Sequence, residues 1–180
     1  MKKLWLALSD PRLKAALNAV ESSGPGLGDL IKEPAGAAGF FRPLRSSLAK
    51  ASKARPASPA SAQALAAAED FTARLEKLFS DLSLHGTAPD AAALEALLYL
   101  QTACAETAGL LSRGGRAGAL ARVRGLSAGA RKTLALAGAA AAASPADFPL
   151  NLKFSSIYSG LDAVFDAYER CAEALYRSQS

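Results

Sequence analysis

The stretch from Asn151 to Ser180, NLKFSSIYSGLDAVFDAYERCAEALYRSQS, decides how the rest of the chain is read. Phe154, Ile157, Leu161, Val164, Tyr168, Cys171 and Leu175 follow one another at steps of 3, 4, 3, 4, 3 and 4. That spacing predicts one helix with a narrow apolar seam turned toward other helices. A second stripe, Asp162, Asp166, Glu169 and Glu173, runs beside the seam at steps of 4, 3 and 4. A helix built in this way packs into a bundle. Its carboxylates can also offer paired oxygens to a cation.

The remaining residues supply partners for such a helix. The chain has 180 residues, enough for one compact domain with its own core. Alanine accounts for 43 of them. It is the best helix former and buries little area per residue, so the composition argues for an all-α protein with close, thin helix contacts. The net charge of +5 is unevenly placed: residues 1–57 carry +6, 58–110 carry −5, 111–153 carry +6 and 154–180 carry −2. Alternating blocks of this kind suit helices that complement one another. No basic patch interleaved with aromatic residues marks a nucleic-acid surface. Cys104 and Cys171 both fall on helical seams and read as small buried hydrophobes in a reducing compartment. Without a CxxC or a Cys/His cluster, the pattern offers no zinc site.

Taken in order, residues 1–10 (MKKLWLALSD) hold an apolar run too short for a signal peptide. The uncharged run 134–143 is about half a membrane span. Ser9 or Asp10 with Pro11 opens a short helix through Leu13, Leu17 and Val20, ending near Ser22. Residues 23–39 contain five glycines and two prolines and read as a loop or linker. Phe40-Phe41-Arg42-Pro43-Leu44 opens the next element, whose end is basic at Lys50, Lys53 and Arg55. A break at 56–59 precedes a long helix over about 60–84, with Leu65, Ala68, Phe71, Leu75, Leu78, Phe79 and Leu82 on its seam. Gly86 stops it, and Thr87-x-x-Asp90 resembles a capping box for the following helix. The two are expected to pair as an antiparallel hairpin. The second of them, over about 91–111, would bury Leu94, Leu97, Leu98, Cys104, Ala108 and Leu111, with Gln101 interrupting the seam. Arg113-Gly114-Gly115-Arg116 reads as a turn. Gly118, Gly125, Gly129 and Gly138 then predict one or two broken helices over 116–143, because each glycine costs about 1 kcal/mol relative to alanine. Ser144-Pro145 to Pro149 ends that segment.

Chemistry is sparse. Asp162 and Asp166 lie on one helix face and are the only residues singled out as metal ligands. The plainer reading of their stripe is a solvated acidic face, since a hard cation wants about six ligands and one helix offers two. Arg113, Arg116, Arg122, Arg124, Arg131 and Lys132 could hold phosphate or meet a membrane, and more often such residues pair with acidic neighbours. No phosphate loop, dinucleotide fingerprint or nucleophile–base motif is present, and His85 is the single histidine. The reading is therefore of a protein that is not an enzyme.

Lys153-x-x-x-Ile157-Tyr158-x-x-Leu161-Asp162-x-x-x-Asp166-x-x-Glu169-x-x-Ala172 resembles the closing helix of the PhoU-like phosphate-transport regulators, in particular the branch associated with Pit-type permeases. Residues 70–94 resemble that family's second helix, turn and third-helix start, with one extra residue between Thr87 and Pro89. Phe40-Phe41 with Leu44 is similar to its first helix. The resemblance covers about two-thirds of the chain. It implies two similar three-helix units, acidic metal-holding motifs on several helices, and a regulatory or accessory role in phosphate transport. Only Asp162 and Asp166 keep both carboxylates. Ala66 with Asp70, Gln101 with Ala105 (Glu106 adjacent), and Ser127 with Arg131 stand where other acidic pairs would be. The region between Glu106 and Lys153 is short by about one helix against the family.

The expectation is thus an all-α, up-and-down antiparallel helical bundle, PhoU-like, over 36–180, with a loosely attached N-terminal helix and Gly/Pro-rich linker over 1–35. The implied role is that of a cytoplasmic, non-enzymatic regulator or accessory protein of inorganic phosphate transport. It would have a protein partner such as a phosphate permease, no nucleic acid, and membrane association only through that partner; self-association stays open. No cofactor is expected, apart from a divalent metal or iron at the degenerate acidic motif. The alternative is a divergent interaction or scaffold bundle with no phosphate or metal role.

Overall fold

The computed structural model describes residues 10–56, 58–86, 88–113, 116–143 and 148–178. All regular structure among them is helical. Six α-helices, α1 (Pro11–Lys32), α2 (Ala37–Ser52), α3 (Pro59–His85), α4 (Ala91–Arg113), α5 (Arg116–Ala143) and α6 (Phe148–Arg177), are joined with one 3₁₀ turn, Pro34–Gly36. Residues 1–9, 57, 87, 114–115, 144–147 and 179–180 lie outside the described residues, as do the side chains of Ala108 and Leu111, so the cap expected at Thr87 and the turn expected over 113–116 fall there.

Local chemistry sets the helix ends. The Asp10 carboxylate accepts from the Arg12 amide at 2.8 Å, with Pro11 at the first helical position. Ser58 and Ser61 cap α3 reciprocally, each hydroxyl accepting from the other's backbone N–H. Gly86 closes α3 with φ +57°, a left-handed conformation that a Cβ disfavours. Asp90 opens α4, its Oδ1 accepting from the Ala93 amide at 2.9 Å.

The helices form a closed cycle. α3 packs on α6, α6 on α5, α5 on α4, α4 on α1, and α1 back on α3, while α2 lies outside against α1 and α3. Side-chain contacts fix the directions. Arg170 meets Asp70 while Lys153 meets the His85 carbonyl, so α6 runs against α3. Thr107 meets Tyr168 and Asp90 meets Tyr158, so α4 runs with α6. α3 and α4 therefore run opposite to each other, but the expected hairpin pairing does not form: they share no extended interface, and each instead packs on α1 and α6. The core is one cluster centred on Phe41, Phe71, Phe79, Phe165 and Tyr168, all fully buried. Each α3 seam residue named from sequence is buried, as are Ile157, Leu161, Val164, Tyr168, Cys171 and Leu175 of α6, with Phe154 half-buried.

Three further expectations are corrected. Residues 23–39 are not a linker, because α1 continues through Gly24, Pro25, Gly26 and Gly28 to Lys32. Ser23, Gly24, Gly26, Leu27 and Leu30 are buried, and the helix that was to be loosely attached belongs to the common core. The glycines serve close approach: a Cβ on Gly24 would sit 3.3 Å from Cys104 Cβ, and one on Gly26 would sit 2.2 Å from the Phe40 ring. Pro25 lies on the exposed side of α1, away from the core contacts of Gly24 and Gly26. The second correction is to α5, which is one unbroken helix. Gly129 packs against the Tyr99 ring and Gly138 against Tyr158, and the many alanines carry the rest of the helix. The third is the face of α4. Leu98 is exposed and Leu94 half-buried, whereas Ala93, Ala96, Leu97, Leu100, Ala103 and Cys104 are buried.

Gly125 offers a direct test of the α5 assignment. A Cβ there meets nothing within 4 Å. Gly125→Ala is expected to stabilise the protein by up to about 1 kcal/mol in urea unfolding. A loss instead of a gain would argue against a continuous helix at this position.

Candidate functional site

The carboxylate stripe of α6 lies against α5. Arg124 and Arg131 are seven residues apart, two turns of one helix, and so reach the same neighbour. Arg131 Nε stands 3.3 Å from Asp162 Oδ1. Its Nη2 donates to Asp166 and lies 3.8 Å from Glu169. Arg124 donates to Glu173, which Arg177 also approaches at 3.6 Å. On the far side of α5, Arg122 Nε donates to Glu106 of α4 at 2.9 Å. The two sequence-named ligands Asp162 and Asp166 are thus brought together, with a guanidinium across them. Both are about half exposed. This arrangement does not fit a cation, because Arg131 fills the position between the carboxylates and repels a like charge. Among the described residues no group of three or more His, Cys, Asp or Glu side chains is placed to hold a metal. Dialysis against a chelator is accordingly expected to leave the melting temperature unchanged. A chelator-dependent drop would put a metal back at the acidic stripe.

On the opposite flank, Asp70 of α3 joins α6. Arg170 reaches it at 2.8 Å and Arg74, one turn along, at 2.9 Å. Partial burial pushes the Asp70 carboxyl upward, but hydrogen bonds from Arg170 and Arg74 outweigh it and hold the group below the ordinary aspartate value. A carboxyl with a depressed folded-state pKa contributes stability above the unfolded value, and loses it as pH falls through the folded one. The loss belongs below about pH 3.8, the unfolded value. Asp70→Asn is expected to lower stability between pH 6 and 8, where the paired carboxylate contributes fully, and to flatten the acid limb so that variant and parent converge below about pH 3.8. A loss of the same size at neutral pH and in acid would mean that Asp70 acts through packing rather than charge.

Inside the α4–α6 contact the polar groups are satisfied. Tyr168 donates to the Ala103 carbonyl and shares a hydrogen bond with Thr107, which also reaches that carbonyl at 3.1 Å. Tyr158 donates to Asp90, tying α6 to the α4 cap. Burial, and then the hydrogen bond to Asp90 and its charge, push the Tyr158 hydroxyl well above the ordinary tyrosine range. Burial pushes the Cys171 thiol up to about 12, and burial with the nearby Cys171 pushes Cys104 higher still. Both thiols are inert at neutral pH.

A groove between the end of α5 and the start of α6 went unread in the sequence. An apolar cavity of about 490 Å³ is lined by Gly138, Ala141, Ala142, Phe148, Leu152 and Ser155. Asn151 Nδ2 braces it by donating to the Ala141 carbonyl at 2.9 Å. A more polar cavity of about 420 Å³ continues past Gly138 and Ser155 to Tyr158, Arg131 and Asp162. At the rim Phe148 is 74% exposed and Leu152 62%. The signal was the run Phe148-Pro149-Leu150-Asn151-Leu152, apolar but off the seam.

Comparison of the chain with protein-family models, curated proteins and solved structures gives no match. No helix among the described residues is long and apolar enough to cross a membrane.

Proposed function

We propose that the chain is a non-enzymatic, cytoplasmic accessory protein of inorganic phosphate transport that docks a helix face onto a permease. The observation that supports this reading is the grouping of the helices. α1, α2 and α3 pack mutually, α4, α5 and α6 do the same, and the two units join through α1 on α4 and α3 on α6. Two three-helix units are what the PhoU-like resemblance implies, although it takes α2, α3 and α4 as its first three helices where the packing groups α1 with α2 and α3.

The docking face of this reading is the α5–α6 groove. It offers an apolar cavity with exposed Phe148 and Leu152 at its rim. The test is copurification from cells that express the chain with a tagged phosphate permease, together with phosphate uptake in cells with and without the chain. The expected result is copurification that Phe148→Ser with Leu152→Ser abolishes, and an uptake rate that changes when the chain is removed. Unchanged uptake with no copurification overturns the phosphate reading.

A second reading, an interaction bundle with no phosphate or metal role, is favoured by one observation. The only acidic pair that keeps both family carboxylates is engaged by Arg131. It predicts a partner that is captured through the same groove and is indifferent to phosphate.

A further inference from the structure

We infer that the outward ridge of α2 is an electrostatic docking strip for an anionic lipid surface. The inference does not rest on the phosphate reading. Between Glu33 and Glu69 the chain has no acidic residue, but it has Arg42, Arg45, Lys50, Lys53 and Arg55. Their charge equals the whole net charge of +5, so the rest of the chain is balanced. The balance elsewhere is built from contacts: Asp70, Asp81, Glu106, Asp162, Asp166, Glu169 and Glu173 each meet an arginine or lysine of α3, α5 or α6. On α2 only Arg45 is matched, by Glu76 of α3 at 3.2 Å. Arg42, Lys50, Lys53 and Arg55 are exposed and form no ion pair among the described residues.

Helix geometry aligns them. The buried face of α2 is Ala37, Phe41, Leu48 and Ala51. Arg42, Ser46, Lys50 and Lys53 follow at steps of 4, 4 and 3 on the opposite face, a straight row about 16 Å long. α2 is the outermost helix, so the row is a convex ridge that touches a plane along its length. Its exposed residues include no aromatic to stack on a base and no large apolar side chain to enter an acyl layer. What remains is cation and serine hydroxyl chemistry suited to phosphate oxygens spread over a surface. A planar array of lipid headgroups meets such a ridge. A nucleic-acid strand would want a groove with stacking platforms.

Cosedimentation of the full chain with vesicles tests the inference. Phosphatidylcholine vesicles with about one-third phosphatidylglycerol are expected to bind it at about 50 mM salt, and about 500 mM salt to release it, since the contact is purely electrostatic. Pure phosphatidylcholine should not bind. Arg42→Gln, Lys50→Gln and Lys53→Gln together should lower the partition coefficient about a hundredfold, at about fivefold per cation. The charge-matched triple Lys14→Gln, Lys32→Gln and Lys132→Gln, placed on α1 and α5, should retain binding. Circular dichroism melts confirm that both triples are folded. Equal losses in the two triples would show an effect of net charge alone and overturn the strip. So would absence of binding to the anionic vesicles. Displacement of the chain from vesicles by duplex DNA at equal phosphate concentration would reassign the ridge to nucleic acid and overturn the lipid inference.

Discussion

Tyr168→Ala is expected to lower stability by about 3–5 kcal/mol, the range for emptying a buried aromatic site. The ring is fully buried and packs on Phe71 with centroids 5.5 Å apart, so it fills the contact between α3 and α6. Its hydroxyl reaches the Ala103 carbonyl and Thr107, so the same side chain also ties α6 to α4. Truncation opens a cavity where three helices meet, and close-packed interiors collapse only partly around such a void. Tyr168→Phe separates the two contributions. It keeps the ring and removes the hydroxyl, and Thr107 can still donate to the Ala103 carbonyl, so no buried group is orphaned. Its cost should be about 1 kcal/mol, that of one net hydrogen bond. For a chain of this size, the alanine variant should melt roughly 6–20 °C lower. Urea unfolding with an unchanged slope would place the effect in the native state. A loss below about 1 kcal/mol for Tyr168→Ala would mean that α6 does not seat this ring in the common core.

The parts of this fold legible in the sequence were those marked by large apolar residues. In α3 and α6, Phe71, Leu75, Phe79, Leu161, Val164 and Tyr168 recur at helical spacing, and small buried residues such as Ala64, Ala68 and Ala172 fall on the face these large residues already mark. α4 was misread for the opposite reason. Ala93, Ala96 and Ala103 make its buried face, and Leu98 points outward, so a seam drawn through the leucines is rotated away from the true one. Alanine carries almost no hydropathy signal that separates close contact from solvent. The pairing of helices was hidden more deeply. A short turn at Gly86–Asp90 makes α3 and α4 antiparallel, but it does not make them neighbours, because α1, from far earlier in the chain, takes part of the space between them. The acidic stripe was legible as a stripe, and Arg131 was visible as a cation at a would-be acidic position. Its three contacts with Asp162, Asp166 and Glu169 needed the α5–α6 register, which the expected breaks at glycine would have destroyed.

Gly26 carries the sharpest contrast between the two readings of residues 23–39. In a flexible linker, replacing glycine with a larger residue reduces the freedom of the unfolded chain and is neutral or mildly stabilising. In the folded protein Gly26 is buried within α1, and a Cβ there would lie 2.2 Å from two atoms of the Phe40 ring. Phe40 is half-buried and stands edge-on to the fully buried Phe41, centroids 4.9 Å apart, so the ring has one side to yield toward and one side blocked. Gly26→Leu is therefore expected to destabilise by about 1–3 kcal/mol, as overpacked sites do, despite the better helix propensity of leucine. Phe40→Ala removes the obstacle. On that background Gly26→Leu should cost far less, and the double-mutant cycle should show a coupling of about 1 kcal/mol or more between residues 14 positions apart. Coupling of this kind requires that α1 and α2 pack side by side through the Gly24–Gly28 segment, which a linker cannot do. Additive effects with a stabilising Gly26→Leu would return the segment to a linker and detach α1 from the core.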